Sequence, residues 1–167
     1  MNITLIGMSG AGKSFIGKKV AETTGLAFID IDAELENEQQ MTLRRMIEAW
    51  GDERFIEEET RLVIERTTGK DSMLISTGGS IIYSPLAMSH LRNISGVVYL
   101  KAPTGAIIER IANLERVGRL VGIRGRSLED LIAERLPLYE KYAHHIVDAG
   151  TLTIEETVAA VAALAGE

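Results

Sequence analysis

The sequence predicts an α/β fold, a doubly wound sheet of five parallel strands flanked by helices, and three observations predict it. Five short apolar runs, at 3–6, 27–29, 73–76, 97–100 and 145–147, are continuous rather than alternating. Such runs suit strands covered on both faces. Helical periodicity fills the intervals, at about 13–24, 32–38, 42–50, 53–68, 84–92, 104–114 and 127–142, with a closing helix at 153–165. Strand alternating with helix implies parallel pairing through right-handed crossovers. The 167 residues, 46% hydrophobic and 25% charged, suffice for one sizeable core, so 1–167 is read as a single domain.

The first strand leads directly into the most specific motif. Residues 3–14 read ITLIGMSGAGKS, in which Gly7, Gly12, Lys13 and Ser14 satisfy G-x-x-x-x-G-K-[ST]. A strand precedes it, and Phe15, Ile16, Val20 and Ala21 follow at helical spacing. That context makes 7–14 a phosphate-binding P-loop and the fold one of the P-loop NTPase type. Glycine-rich backbone lets the N–H groups of Gly10, Ala11 and Gly12 converge on phosphate oxygens at the positive end of the next helix. Lys13 reaches the β- and γ-phosphates as a point charge, and the Ser14 hydroxyl is a Mg²⁺ ligand.

The second strand runs into Phe28-Ile29-Asp30-Ile31-Asp32, which puts two carboxylates at its carboxyl end. In open α/β sheets this edge faces the ligand crevice. Asp32 is a candidate acceptor of a hydroxyl proton, and Asp30 a candidate holder of the Mg²⁺ hydration shell. In isolation the pair also reads as a strand end and a helix cap. A charged helical excursion follows over about 32–68, with Trp50 closing a helix as a packing residue. Thr77-Gly78-Gly79 ends the third strand at the same edge, its glycines allowing close backbone approach to a ligand. Pro85 is expected to open a helix after Tyr83-Ser84. Residues 113–126 hold four arginines and three glycines, the composition of a solvated loop or of a flap that carries charge to a phosphate. Ser127 with Asp130 and Thr153 with Glu156 are capping signals. The alanine-rich 158–165 is a good helix former. His144 and His145 lack a metal-spaced partner and are read as structural.

Composition removes several classes. With no cysteine, disulfides, thiol catalysis and Cys-ligated zinc are excluded. A net charge of −6 argues against nucleic acid as the main partner. Residues 1–6 are too short and uncharged for a signal peptide, and no apolar run reaches membrane-spanning length. No membrane partner and a cytoplasmic, monomeric protein are therefore expected. No N-K-x-D stretch supports guanine recognition, and the chain is short for a motor or transport ATPase. A small-molecule kinase remains.

GMSGAGKS, the D-x-D of FIDID, TGG at 77–79 and RLPLYEKYA at 135–143, in that order over most of the chain, resemble the shikimate kinase family. The resemblance implies ATP and Mg²⁺, a small-molecule hydroxyl acceptor, a helical acceptor-binding region over about 32–68 and an arginine-bearing lid over about 113–126. Taken singly, it implies that Asp32 meets the acceptor hydroxyl, Asp30 the metal, Gly78 and Gly79 the acceptor pocket, and Arg135 the acceptor's carboxylate. It implies that Arg116 is the lid arginine and that Arg110 lies on the nucleotide side.

The departures concentrate in the acceptor half. Residues 51–59 read GDERFIEEE where the family carries G-E-x-x-F-R-x-x-E, so Ile56 replaces an arginine that forks onto shikimate's carboxylate. Glu59 is retained without that neighbour. Ser80 replaces the third glycine of TGGG, and Arg116-Val117-Gly118-Arg119-Leu120 replaces the lid's Arg-Pro-Leu-Leu. Phe15 stands where a hydroxyl residue often contacts the α-phosphate. Losing the bidentate pair should cost roughly 2–5 kcal/mol. An acceptor altered relative to shikimate is therefore expected, the alternative being shikimate kinase proper. Arg54 or Arg61 could compensate, although neither shares the helix face of Ile56. Two other readings compete: a non-catalytic ATP-binding module, disfavoured by Asp32, and an adenylate-kinase-like phosphotransferase, which lacks an evident second set of phosphate-binding arginines.

Overall fold

The computed structural model describes residues 1–113 and 120–166. Strands β1 (Asn2–Ile6), β2 (Ala27–Asp30), β3 (Met73–Ser76), β4 (Ser95–Lys101) and β5 (His145–Asp148) pair in parallel in the order β2-β3-β1-β4-β5. The inner strands β1 and β3 are buried throughout, whereas the edge strands β2 and β5 carry exposed positions. This is why the inner runs read as continuously apolar.

Helices α1 (Lys13–Thr24), α2 (Ile31–Gln39), α3 (Leu43–Trp50), α4 (Asp52–Thr67), α5 (Pro85–Ile94), α6 (Thr104–Asn113), α7 (Leu128–Tyr142) and α8 (Ile154–Ala163) flank the sheet. Leu5, Val20 and Val161 join α1 and α8 on one face. Ile6, Leu62, Met88 and Tyr139 pack α4, α5 and α7 on the other. Pro85 lies in the first turn of α5, Ser127 accepts from the Asp130 N–H, and Thr153 with Glu156 forms a full capping box. The closing helix ends at Ala163 and tightens into a 3-10 turn, Leu164–Gly166. A further 3-10 turn, Ile81–Tyr83, carried no sequence signal. His144 is structural: its ring Nδ1 accepts from the Val97 N–H at 3.0 Å, beside β4.

The crossovers fix where a ligand can sit. The helix after β1 lies on one face and the helix after β3 on the other, so their carboxyl ends open a crevice at the switch point. The P-loop and Thr77-Gly78-Gly79 both issue there. Among the described residues, no helix is long and apolar enough to cross a membrane.

Candidate active site

The P-loop backbone takes conformations that its glycines permit. Gly7 (φ +147°) leaves β1 where a Cβ would lie 2.7 Å from the Leu100 carbonyl oxygen, and Gly12 (φ +93°) caps α1 in the left-handed region. No side chain caps that helix, which leaves its first amides to a phosphate. Lys13 is buried, its ammonium donating to the carbonyls of Gly7 (2.7 Å) and Met8 (2.9 Å). Burial lowers its pKa to about 8, although Asp32 and Asp30 pull it upward.

A cavity of about 510 Å³ runs along this loop, lined by Gly10, Ala11, Gly12, Lys13, Ser14 and Phe15, and by Arg110 opposite. Arg110 Nη1 donates to the Gly10 carbonyl at 2.7 Å, so α6 is fastened to the loop. Phe15 is half exposed, with the Lys19 ammonium over its ring at 5.2 Å. The apolar end, including Pro103, Leu152 and Ile154, was not singled out by sequence reasoning, since these residues sit on three separate elements. Their chemistry suits a purine base.

Ser14 and Asp30 meet directly, the hydroxyl donating to Asp30 Oδ2, while Asp30 Oδ1 accepts from the Ala33 N–H at 3.2 Å. Asp30 is thus the cap of α2 as well as a neighbour of Ser14; Asp32 lies in that helix's first turn. A hydroxyl and a carboxylate side by side at a triphosphate cradle fit Mg²⁺, which takes few protein oxygens and keeps water and phosphate ligands. No group of three or more His, Cys, Asp or Glu that could hold a metal ion occurs among the described residues.

Asp32 and Ser9 lie at the seam between the nucleotide cavity and a second, smaller one of about 30 Å³. The latter is walled by Gly78, Gly79, Ser80 and Arg135 on its polar side and by Leu43, Phe55, Leu120 and Val121 on its apolar side. It is far below the ~300 Å³ of an ordinary ligand pocket. A cleft of about 290 Å³ beside it shares Ser9, Asp32, Leu43 and Leu120. Leu120 therefore lines both spaces.

Arg135 is 1% exposed, sits over the Tyr83 ring at 5.3 Å and donates from Nη2 to the Val121 carbonyl at 2.7 Å. Tyr139, one turn further along α7, donates to the Gly79 carbonyl at 2.6 Å. Burial raises its pKa, so the phenol stays a neutral donor. Met8, Tyr83 and Tyr139 were missed by sequence reasoning; the spacing of Arg135 and Tyr139 was the available signal. Ile56 is half-buried against the core and does not line either cavity; α4 presents Phe55 instead. Neither candidate replacement reaches the site. Arg54 lies 5.0 Å over Trp50, and Arg61 is committed to Glu38, Glu58 and Glu65. Glu59 is fully buried, its Oε2 accepting from Ser80 Oγ at 2.8 Å. Arg116 and Arg119 lie outside the described residues.

A P-loop, an oxygen pair beside it and a carboxylate at the seam of two cavities define a phosphotransferase with a hydroxyl acceptor. The family model for shikimate kinase matches residues 9–165, and the chain belongs to that family. A shikimate kinase of Francisella philomiragia is 35% identical over 158 residues, 94% of this chain and 90% of the relative. The structure of shikimate kinase from Acinetobacter baumannii in complex with shikimate superimposes with a TM-score of 0.85 at 29% identity, covering 96% of this chain and 89% of that one. Shikimate kinase from Aquifex aeolicus gives 0.78 at 25% identity over 96% and 93%. ATP with Mg²⁺ is the family's usual cofactor. These relatives back the expected alternative, shikimate kinase proper, over an altered acceptor.

Proposed function

We propose that this chain transfers the γ-phosphoryl group of ATP to a hydroxyl of shikimate. The observation that carries the reading is the position of Asp32, which faces the nucleotide cavity on one side and the Arg135-backed cavity on the other. The relatives named above support the choice of shikimate. The P-loop would hold the phosphates of ATP, the apolar end at Pro103 and Ile154 would take its base, and Lys13 would supply charge to the β- and γ-phosphate oxygens. Ser14 and Asp30 would hold Mg²⁺, which when bound would supply neutralisation of charge on the phosphate oxygens. Asp32 orients the acceptor hydroxyl and takes its proton as the new O–P bond forms and the bond to the β-phosphate oxygen breaks. Arg135 meets the acceptor's carboxylate, which replaces the Val121 carbonyl. Arg116 brings charge to the transferring group.

Asp32→Asn tests the assignment. Shikimate-dependent ADP release should fall by about 10²-fold or more while ATP affinity stays within a few-fold. Collapse of ATP affinity with turnover preserved would place Asp32 on the metal side. One observation favours a second reading. Ile56 has no guanidinium replacement among the described residues, as Arg54 and Arg61 are engaged elsewhere. A hydroxyl acceptor without a carboxylate, consumed in preference to shikimate in a panel, would establish it.

A further inference from the structure

Arg135 is the cation on the wall of the acceptor cavity, and the groups that hold it there come from three elements. Among the described residues, its buried Nε has no hydrogen-bond partner. Nη1 reaches the Met8 sulfur, a weak acceptor, at 3.9 Å. Nη2 donates to the Val121 carbonyl at 2.7 Å, the partner that an incoming carboxylate displaces on the reading above. The guanidinium carbon itself lies over the Tyr83 ring, 5.3 Å from its centroid. An aromatic face attracts a cation most strongly where water is excluded, and Arg135 is 1% exposed. Tyr83 lines none of the cavities described above, so its contact with the site is Arg135.

The ring is fixed at both ends. Its backbone closes the turn that follows the cavity wall, the Tyr83 N–H donating to the Ser80 carbonyl at 2.9 Å. Its hydroxyl donates to Glu134 Oε2, and Glu134 Oε1 accepts from Arg126 Nη1 at 3.1 Å. Glu134 and Arg135 are neighbours on α7, so one tyrosine takes a carboxylate at its hydroxyl and a guanidinium on its face. The Arg126–Glu134 pair is largely exposed, and pairs of that kind contribute little. The ring's contact with the buried guanidinium outweighs it.

We propose that Tyr83 is a positioning residue for the transfer reaction: its ring holds the Arg135 guanidinium at the cavity wall, ready for the acceptor's carboxylate, and keeps hold of it after the Val121 carbonyl is displaced. The inference rests on the shikimate reading above, in which Arg135 meets that carboxylate. Where the chain lacks an arginine at Ile56, the placing of this one cation decides how well the carboxylate is held.

The test is steady-state kinetics with saturating Mg²⁺·ATP on Tyr83→Phe, on the same substitution made with phenylalanines carrying increasing numbers of ring fluorines, on Tyr83→Leu, on Arg135→Ala and on the double variant. Fluorine keeps the ring's shape and drains its negative face, which a merely structural role would not register. Tyr83→Phe should keep the KM for shikimate within about threefold of wild type, and the fluorinated series should raise it stepwise to about tenfold. Tyr83→Leu should raise it about 10- to 30-fold, with kcat within about threefold and the KM for ATP within about twofold. In the Arg135→Ala background, Tyr83→Leu should lower kcat/KM by no more than about twofold, because the group it positions is gone. A flat fluorine series, or a Tyr83→Leu effect undiminished in that background, overturns the inference alone. So does an equal fall in kcat or a parallel rise in the KM for ATP, either of which marks a general structural role. Wild type that does not use shikimate, or Arg135→Ala with unchanged kcat/KM for it, overturns the acceptor reading and this inference with it.

Discussion

Lys13 is held by the loop it serves. Its two carbonyl partners keep the ammonium in place before nucleotide arrives, and Lys13→Ala should leave a folded protein with phosphoryl transfer reduced by about 10³-fold or more. Turnover near normal in that variant would remove the P-loop from the mechanism. Glu59 gives a stability prediction with a definite sign. Its pKa is raised from 4.5 to about 8 in the folded state, so between those values the folded protein holds a proton that the unfolded chain has released. Stability therefore falls as pH rises through that window, and Glu59→Gln should flatten this slope in urea titrations from pH 5 to 8. A slope identical in the variant would refute the assignment. The residues legible in sequence were those in contiguous motifs: Gly12, Lys13 and Ser14 in the loop, and Asp30 and Asp32 at a strand end. The Ser80–Glu59 and Arg135–Val121 contacts join elements distant in sequence, and no local periodicity encodes them.

At the scale of elements, α1 rests on the sheet through Gly17. A Cβ there would lie 2.7 Å from Leu74 Cδ2 and 3.0 Å from Phe28 Cε2, both beneath the helix. Alanine gains helix propensity of about 1 kcal/mol, but overpacking costs about 1–3 kcal/mol, so Gly17→Ala should be neutral to destabilising by about 2 kcal/mol in chemical denaturation. A variant more stable than wild type would show that the helix docks less closely. Residues 120–122 form a second joint. The Gly122 N–H donates to Asp52 Oδ2 at 2.9 Å, and the Val121 carbonyl accepts from Arg135. Because that segment walls the acceptor cavity, Asp52→Ala should quicken amide exchange at Gly122 and change the KM for acceptor while leaving ATP affinity unaltered. Unchanged exchange at Gly122 would contradict the joint. Strands, caps and helix starts were readable because burial and capping are local; the Ile81–Tyr83 turn and this joint were not, since both depend on neighbours distant in sequence.

The whole molecule divides its conservatism unevenly. The P-loop half brings Gly12, Lys13 and Ser14 along one cavity, with Asp30 bonded to Ser14, and the sheet order sets that half against Gly78 and Gly79 at one switch point. The acceptor half holds Ile56 away from the cavity, closes around about 30 Å³, and buries Glu59 against Ser80. An altered acceptor was the sequence's expectation, because a missing arginine is visible in a motif, whereas the placing of Ile56 away from the cavity wall is not. The central claim is that this rebuilt cavity still accepts shikimate. The measurement that tests it most directly is the steady-state kcat/KM for shikimate with saturating Mg²⁺·ATP, with the phosphorylated product identified by ³¹P NMR. The account predicts saturable, stoichiometric transfer with kcat/KM of about 10⁴ M⁻¹s⁻¹ or more. ATP turnover that shikimate does not stimulate, alongside efficient phosphorylation of a hydroxyl compound lacking a carboxylate, would contradict it.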